Sequence, residues 1–218
     1  MSPLVDLVIL DCDGVLVDSE RLAAEVSADM FVALGWDVTA DELRRRFTGC
    51  TPEQWETAVV ATLGDRLDAG WDEELRSRCD AAFDLRLAAV DGVREALNRI
   101  AAPSCVASNG GRESTRRKLA RVRLLSCFEG RLFTAEDVSR PKPAPDLFLH
   151  AADALGARPS WCVVVEDSPT GVRAARAAGM SCLGYVDDAR EVGGLEGLGA
   201  VEFRDMRDLP ALIREVLA

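Results

Sequence analysis

The sequence predicts an α/β fold in which helices cover both faces of a parallel sheet and a helical bundle is inserted after the first strand. Two observations indicate this fold. From Gly92 onward, apolar runs of strand length alternate with helical segments, which is typical of a parallel sheet. Between about residues 19 and 89, apolar residues instead recur at helical spacing, and nothing strand-like interrupts them.

The predicted elements follow in order along the chain. Residues 5–10 are almost entirely apolar and are expected to form the first, buried strand. After the helical insertion, strands are expected at residues 104–108, 132–133, 161–165, 181–186 and 201–203. Helices are expected at residues 93–101, 113–124, 146–155 and 171–178. We therefore expect a core domain of residues 1–17 and 90–218, with a helical cap of residues 18–89.

The composition argues against several classes of protein. Hydrophobic residues make up 48% of the 218 residues and charged residues 29%, as expected of a globular chain with a substantial core. The formal net charge is −11, so nucleic acid and anionic membrane surfaces are not expected as partners. The apolar run at residues 4–10 contains Asp6 and is too short for a membrane span.

Cysteine and histidine usage gives no sign of a zinc site or a disulfide framework. The seven cysteines are widely spaced without a CxxC pair, and His150 is the only histidine. No secretion signal is visible in the sequence. We therefore expect reduced, mostly buried thiols and a cytoplasmic location.

Polar residues stand at the carboxyl ends of the predicted strands. They are Asp11 and Asp13 after the first strand, Ser108 and Asn109 at the end of the second, and Glu166 and Asp167 after the fourth. Lys142 lies in the loop after the third strand. Ligands of open α/β sheets bind beyond the carboxyl ends of the strands, so we expect these groups to converge on one edge of the sheet.

The residue types at this edge are those of a phosphoryl-transfer site. Clustered acids repel each other unless a cation lies between them, and a set of carboxylate oxygens suits Mg²⁺ better than zinc. Lys142 and the backbone amides of residues 108–111 are suited to holding phosphate oxygens. Each motif alone is common in loops and turns; it is their joint occurrence at strand ends that indicates this chemistry.

Four segments carry a resemblance to a known family. They are ILDCDGVLVDSE at residues 9–20, VASN at 106–109, RPKPAPD at 140–146 and VEDSPTG at 165–171. The chain resembles the haloacid dehalogenase-like hydrolase superfamily, in the branch with a helical cap after the first strand. That branch includes sugar phosphatases, phosphoglycolate phosphatase and beta-phosphoglucomutase. The resemblance implies a Rossmann-like parallel sheet core with an inserted helical-bundle cap domain.

The resemblance also implies a role for each residue of the site. Asp11 would attack phosphorus and form an aspartyl-phosphate, and Asp13 would protonate the leaving group and then activate water. The Mg²⁺ ion would be held by Asp11, the backbone carbonyl of Asp13 and Asp167, with Glu166 beside them. The phosphoryl group would be bound by Ser108, Asn109 and Gly110 and neutralised by Lys142.

The cap is expected to select the substrate, which we expect to be a small phosphorylated metabolite such as a sugar or sugar-acid phosphate. Within the cap loop of residues 47–55, Thr51 offers a hydroxyl, whereas Trp55 is expected in the core of the bundle. Beta-phosphoglucomutases carry a histidine where this chain has Ala23 and a basic residue at the position of Pro52. A mutase must hold a second phosphate in its cap, which demands a cation, so hydrolysis is favoured over isomerisation.

The basic helix at residues 113–124, which includes Lys118, is expected to present a solvated face near an anion site. The alternatives left open are a beta-phosphoglucomutase-type isomerase and a non-catalytic binding protein of the same fold. An acidic chain without an evident apolar seam is expected to be a monomer.

Overall fold

The structure is a computed structural model that describes residues 5–47, 52–187 and 194–216. The chain divides into two compact units. One comprises Met1–Asp18 and Ala88–Ala218, and the other is Ser19–Leu87. These boundaries lie within two residues of the predicted domain boundaries. In the part of the chain that the structure describes, no helix is both long and apolar enough to cross a membrane.

The first unit is built on a sheet of six parallel strands among the described residues. The strands are β1 (Leu7–Leu10), β2 (Ser104–Ser108), β3 (Leu132–Thr134), β4 (Cys162–Glu166), β5 (Ser181–Tyr185) and β6 (Val201–Phe203). Their order in the sheet is β3-β2-β1-β4-β5-β6, and every neighbouring pair runs parallel. All residues of β1 and β4 are buried, as expected for central strands of a parallel sheet. The predicted α/β fold class is confirmed.

Helices connect the strands and flank the sheet. Numbered after the four described helices of the other unit, they are α5 (Val93–Arg99), α6 (Arg112–Arg121), α7 (Asp146–Ala154), α8 (Pro169–Ala177) and α9 (Leu209–Glu215). The predicted helix at residues 113–124 ends early. Arg123 has a φ of 54°, in the left-handed region, and the amide of Leu124 turns back to the carbonyl of Leu119 at 2.8 Å.

Two predicted strands are displaced by a short distance. The strand predicted at residues 161–165 is β4, Cys162–Glu166, because Trp161 closes a 3₁₀ turn with its amide donating to the carbonyl of Arg158 at 2.8 Å. As a result, Glu166 is the last residue of the strand. The first strand begins at Leu7 rather than at residue 5.

The carboxyl end of β1 is the point where the strand order reverses. After β1 the chain builds β2 and β3 on one side, and then crosses to β4 and β5 on the other. Leu10, the last residue of β1, pairs with Val106 of β2 and with Val165 of β4, so β2 continues two residues and β4 one residue beyond the end of β1. Asp11, the next residue, therefore lies in the crevice that such a reversal opens.

The second unit, Ser19–Leu87, is helical over its described residues. Its helices are α1 (Ser19–Ala33), α2 (Ala40–Phe47), α3 (Pro52–Leu63) and α4 (Trp71–Arg86). A capping box begins α2, since the Thr39 hydroxyl accepts from the Glu42 amide at 3.2 Å and the Glu42 carboxylate accepts from the Thr39 amide at 2.8 Å. Trp55 packs into the core of this unit as predicted, with its ring centroid 5.5 Å from that of Phe31.

Candidate active site

The loop after β1 places two acids side by side. The amide of Asp11 donates to the carbonyl of Val165 at 3.0 Å, which fixes the start of the loop against β4. The chain then turns at Gly14, whose φ is +75°. A Cβ on Gly14 would lie 1.9 Å from Oδ2 of Asp167, so the glycine is also needed for this carboxylate to approach the loop.

Three buried carboxylates meet at this edge of the sheet. One oxygen from each of Asp11, Glu166 and Asp167 lies within 4.8 Å of the others. Burial, the largest influence, raises the pKa of Asp11 to about 7; Lys142 opposes this rise and Glu166 adds to it. A buried set of oxygen donors under such mutual repulsion fits a hard divalent cation.

Lys142 neutralises part of this negative charge. Its Nζ lies 2.7 Å from Oδ1 of Asp11 and 2.6 Å from Oε1 of Glu166, and its side chain is 3% exposed. Burial alone would lower the pKa of Lys142, but the two carboxylates together raise it above its usual value. The lysine therefore stays charged and links the acid at the end of β1 to the acid at the end of β4.

Glu166 also organises the turn that begins α8. Its Oε1 accepts from Lys142, and its Oε2 accepts from the amides of Asp167 and Ser168, each at 3.1 Å, and from the Ser168 hydroxyl at 2.9 Å. Ser168 is in turn the N-cap of α8, where its hydroxyl accepts from the amide of Gly171 at 3.0 Å. Both oxygens of Glu166 thus already have donors from the protein.

Gly171→Ala is expected to destabilise the protein. A Cβ at Gly171 would lie 1.8 Å from the carboxyl carbon of Glu166, which is fully buried and bound to Lys142. Helix propensity alone would favour alanine by about 1 kcal/mol. Overpacking costs about 1–3 kcal/mol, and displacing the Glu166–Lys142 pair adds to it, so a net loss in the free energy of unfolding is expected.

Denaturant unfolding measures this loss, with Gly197→Ala as the matched control. A Cβ at Gly197 would meet nothing within 4 Å, so its effect should stay within about 0.5 kcal/mol. Equal stability of Gly171→Ala and wild type would contradict the close packing of Glu166 against α8.

The residues after β2 hydrogen-bond to one another and to the loop that carries Lys142. The hydroxyl of Ser108 accepts from the amide of Gly110 at 3.0 Å. The side chain of Asn109, however, binds the backbone of Lys142: its Nδ2 donates to the Lys142 carbonyl and its Oδ1 accepts from the Lys142 amide, both at 3.0 Å. Asn109 therefore anchors the loop that carries the lysine, a use that the sequence reading did not include.

Lys118 is a site residue that the sequence reading missed. It was expected on a solvated helix face, but its side chain is only 15% exposed and its Nζ donates to Oδ1 of Asp13 at 2.6 Å. Burial alone would lower the pKa of Lys118, but the neighbouring Asp13 outweighs it and raises the pKa. One signal was present in the sequence: Lys118 and Lys142 are the only lysines of the chain.

Two other residues singled out from the sequence stand apart from this edge. Thr51, expected to contact the substrate, lies outside the described residues. His150 is exposed on α7, with its ring edge-on to that of Phe133 at 5.5 Å between centroids. His150 therefore makes a ring contact at the surface of α7.

The fold and the site together define a protein of the α/β type with buried carboxylates and two lysines at the carboxyl edge of a parallel sheet. The model of the haloacid dehalogenase-like hydrolase family matches residues 5–179. The chain therefore belongs to the haloacid dehalogenase-like hydrolase family. The family and the enzyme class predicted from the sequence, a phosphoric monoester hydrolase, are confirmed.

Individual relatives agree with this assignment. The chain is 32% identical to a 6-phosphogluconate phosphatase of Escherichia coli (strain K12), with 84% of each chain covered. It is 34% identical to a probable pseudouridine-5'-phosphatase of Drosophila melanogaster, covering 84% of this chain and 81% of the relative. A crystal structure of a haloacid dehalogenase-like protein of unknown function from Agrobacterium tumefaciens str. C58 superposes with a TM-score of 0.90 at 34% identity, covering 98% of this chain and 100% of that one.

Proposed function

We propose that this enzyme is a magnesium-dependent phosphatase that hydrolyses a small phosphate monoester, a sugar or sugar-acid phosphate, through an aspartyl-phosphate intermediate. The observation that carries the proposal is the cluster of Asp11, Glu166 and Asp167, joined by Lys142 at the switch point of the sheet. Family membership alone leaves the chemistry open, and this cluster supplies a nucleophile, a cation site and a fixed positive charge.

Each residue of the cluster has a part in the proposed reaction. Asp11 attacks phosphorus, and Lys142, 2.7 Å from Oδ1 of Asp11, neutralises charge on the transferring group. Asp13 gives a proton to the leaving oxygen in the first step and takes one from water in the second. The Ser108 hydroxyl, whose oxygen accepts from the Gly110 amide, donates its own proton to a phosphoryl oxygen.

The proposed cation site consists of oxygen ligands. Asp11, Asp167 and the backbone carbonyl of Asp13 would hold Mg²⁺, with Glu166 beside them. Bound there, Mg²⁺ would draw electron density from the phosphoryl oxygens and make phosphorus easier to attack. Without a cation, the buried carboxylates repel one another, and this repulsion supports the assignment of a cation site.

The substrate class rests on the relatives. The 6-phosphogluconate phosphatase acts on a phosphorylated sugar acid, and the probable pseudouridine-5'-phosphatase is named for another small monoester. Ala23 and Pro52 stand where a mutase would carry basic side chains, which supports hydrolysis over isomerisation. With no disulfide among the described cysteines and a net charge of −11, we propose a cytoplasmic, monomeric enzyme without nucleic-acid or membrane partners.

Phosphate release from a panel of phosphorylated sugars, sugar acids and glycolytic acids tests this proposal. Release is expected with Mg²⁺, should stop with a chelator, and should return when Mg²⁺ is restored in excess. Conversion of beta-glucose 1-phosphate to the 6-phosphate without phosphate release would favour the mutase instead. Activity in neither assay would favour a non-catalytic binding protein.

A further inference from the structure

Lys118 is less exposed to solvent than the neighbouring cationic residues of its helix. The neighbouring cations of α6, Arg116 and Arg117, are exposed, whereas the Lys118 side chain is 15% exposed and contacts Asp13, which is 32% exposed. The contact of 2.6 Å joins residues 105 positions apart in the sequence. Lys118 is therefore directed to the loop after β1 rather than to solvent.

Lysine is rare in this chain, which distinguishes Lys118 from the arginines that carry most of its positive charge. The chain has 26 lysines and arginines together, and lysine occurs only at positions 118 and 142. Every other cationic side chain of this kind is an arginine, including the exposed ones of α6. Lys142 holds Asp11 and Lys118 holds Asp13, so both lysines contact acids of the same site. An ammonium group is compact and can place one donor on one oxygen, which the planar guanidinium does less readily.

The two oxygens of Asp13 face different neighbours. Oδ1 accepts from Lys118, while Oδ2 lies 4.0 Å from the position that a Cβ on Gly110 would take. That position is also 3.3 Å from the hydroxyl of Ser108. The Asp13 carboxylate is thus directed between α6 and the turn that we assign to phosphate binding.

We propose that Lys118 is a positioning residue, which holds Asp13 at Oδ1 so that Oδ2 exchanges the proton with the leaving group and with water. The inference rests on the proposed function and adds to it the group that orients its acid. Lys118 itself contacts neither phosphorus nor the reacting oxygens in this proposal.

The orientation of the Asp13 carboxyl group matters in both chemical steps of the proposed reaction. In the first, an Asp11 oxygen bonds to phosphorus, the bond from phosphorus to the ester oxygen breaks, and the Asp13 proton moves to that oxygen. In the second, water bonds to phosphorus, its proton moves to Asp13, and the bond to Asp11 breaks, which releases phosphate. One carboxyl serves both steps, so a misplacement of about 1 Å is expected to slow each by about 10²-fold.

Lys118→Met tests the inference, with Arg116→Met as the control that removes a charge from the same helix. For the best substrate of the panel, kcat is expected to fall about 10²-fold in Lys118→Met with little change in KM, and to stay near wild type in Arg116→Met. With p-nitrophenyl phosphate, whose leaving group needs no acid, Lys118→Met should release a burst of about one nitrophenolate per enzyme before slow turnover. A lysine that only stabilised the fold would produce no such burst.

Lys118→Arg supplies the conservative variant. It restores a charged donor without the compact ammonium, so it is expected to recover part of the kcat lost in Lys118→Met. If Lys118→Met does not fold, a lowered kcat at unchanged KM in Lys118→Arg decides in favour of positioning. The inference is overturned if Lys118→Met matches Arg116→Met, if KM rises while kcat holds, or if arginine recovers nothing. A wild type that releases no phosphate would instead overturn the proposed function, and the inference with it.

Discussion

Asp11→Asn is expected to abolish phosphate release, with kcat falling by about 10⁴-fold or more, as removal of a nucleophile does. The amide is isosteric with the carboxyl group but does not attack phosphorus. The proposed intermediate adds a second readout, since labelled phosphate should be trapped on quenched wild type and not on the variant. Asp153→Asn, an exposed change on α7, is the control and should retain both activity and label.

The same substitution separates catalysis from stability. The pKa of Asp11 is raised to about 7, chiefly by burial, so the folded chain keeps a proton that the unfolded chain releases near pH 3.9. The stability of the metal-free wild type should therefore fall as pH rises from about 4 to about 7, because the native state binds more protons there. Asp11→Asn should lack this decline and be at least as stable as wild type at pH 8 in chelator. A strongly destabilised Asp11→Asn would contradict this account of the charge balance.

Lys142→Met is expected to reduce both activity and stability. Methionine fills a similar volume but leaves Asp11 and Glu166 without the ammonium that lies 2.7 and 2.6 Å from them. Breaking a buried ion pair from one side costs about 3–5 kcal/mol, and this loss should appear in the denaturant unfolding of the metal-free protein. Loss of one preorganised positive charge at the phosphoryl group should lower kcat by about 10²–10³-fold.

Arg140→Met is the matched control for Lys142→Met. It removes a cation two residues away whose partner is Asp146, but that arginine side chain is 72% exposed. Exposed pairs contribute about 0–1 kcal/mol, so this variant should remain close to wild type in stability. Similar losses in the two variants would mean that the loop, and not the buried charge of Lys142, sets the effect.

The sequence located most of the site because of a property of parallel sheets. Asp11, Glu166 and Lys142 lie far apart in the chain, yet strands that run the same way bring their carboxyl ends to one edge. The order of strands and helices could also be predicted, because buried strands of a parallel sheet are continuous apolar runs. Strand and helix ends were less accurate, because hydrogen bonds such as that of Trp161 with Arg158 decide them.

The partners of Lys118 and Asn109 were not predictable from local pattern. Whether a lysine on a basic helix faces solvent or a neighbouring loop depends on the rotation of that helix against the sheet, which packing sets. Asn109 follows a strand end, where an amide suits either a phosphate or a backbone. The bonds to the Lys142 amide and carbonyl depend on a loop 33 residues away.

The distribution of side-chain amines has a practical consequence. A typical protein of this size presents many lysines to solvent, so amine-reactive reagents label it broadly. Here both lysine side chains lie within a single acidic site, at 15% and 3% exposure, while arginine carries the other strong positive charges. Covalent modification of lysine in the folded chain would therefore report on the opening of this one site, with no background from the rest of the surface.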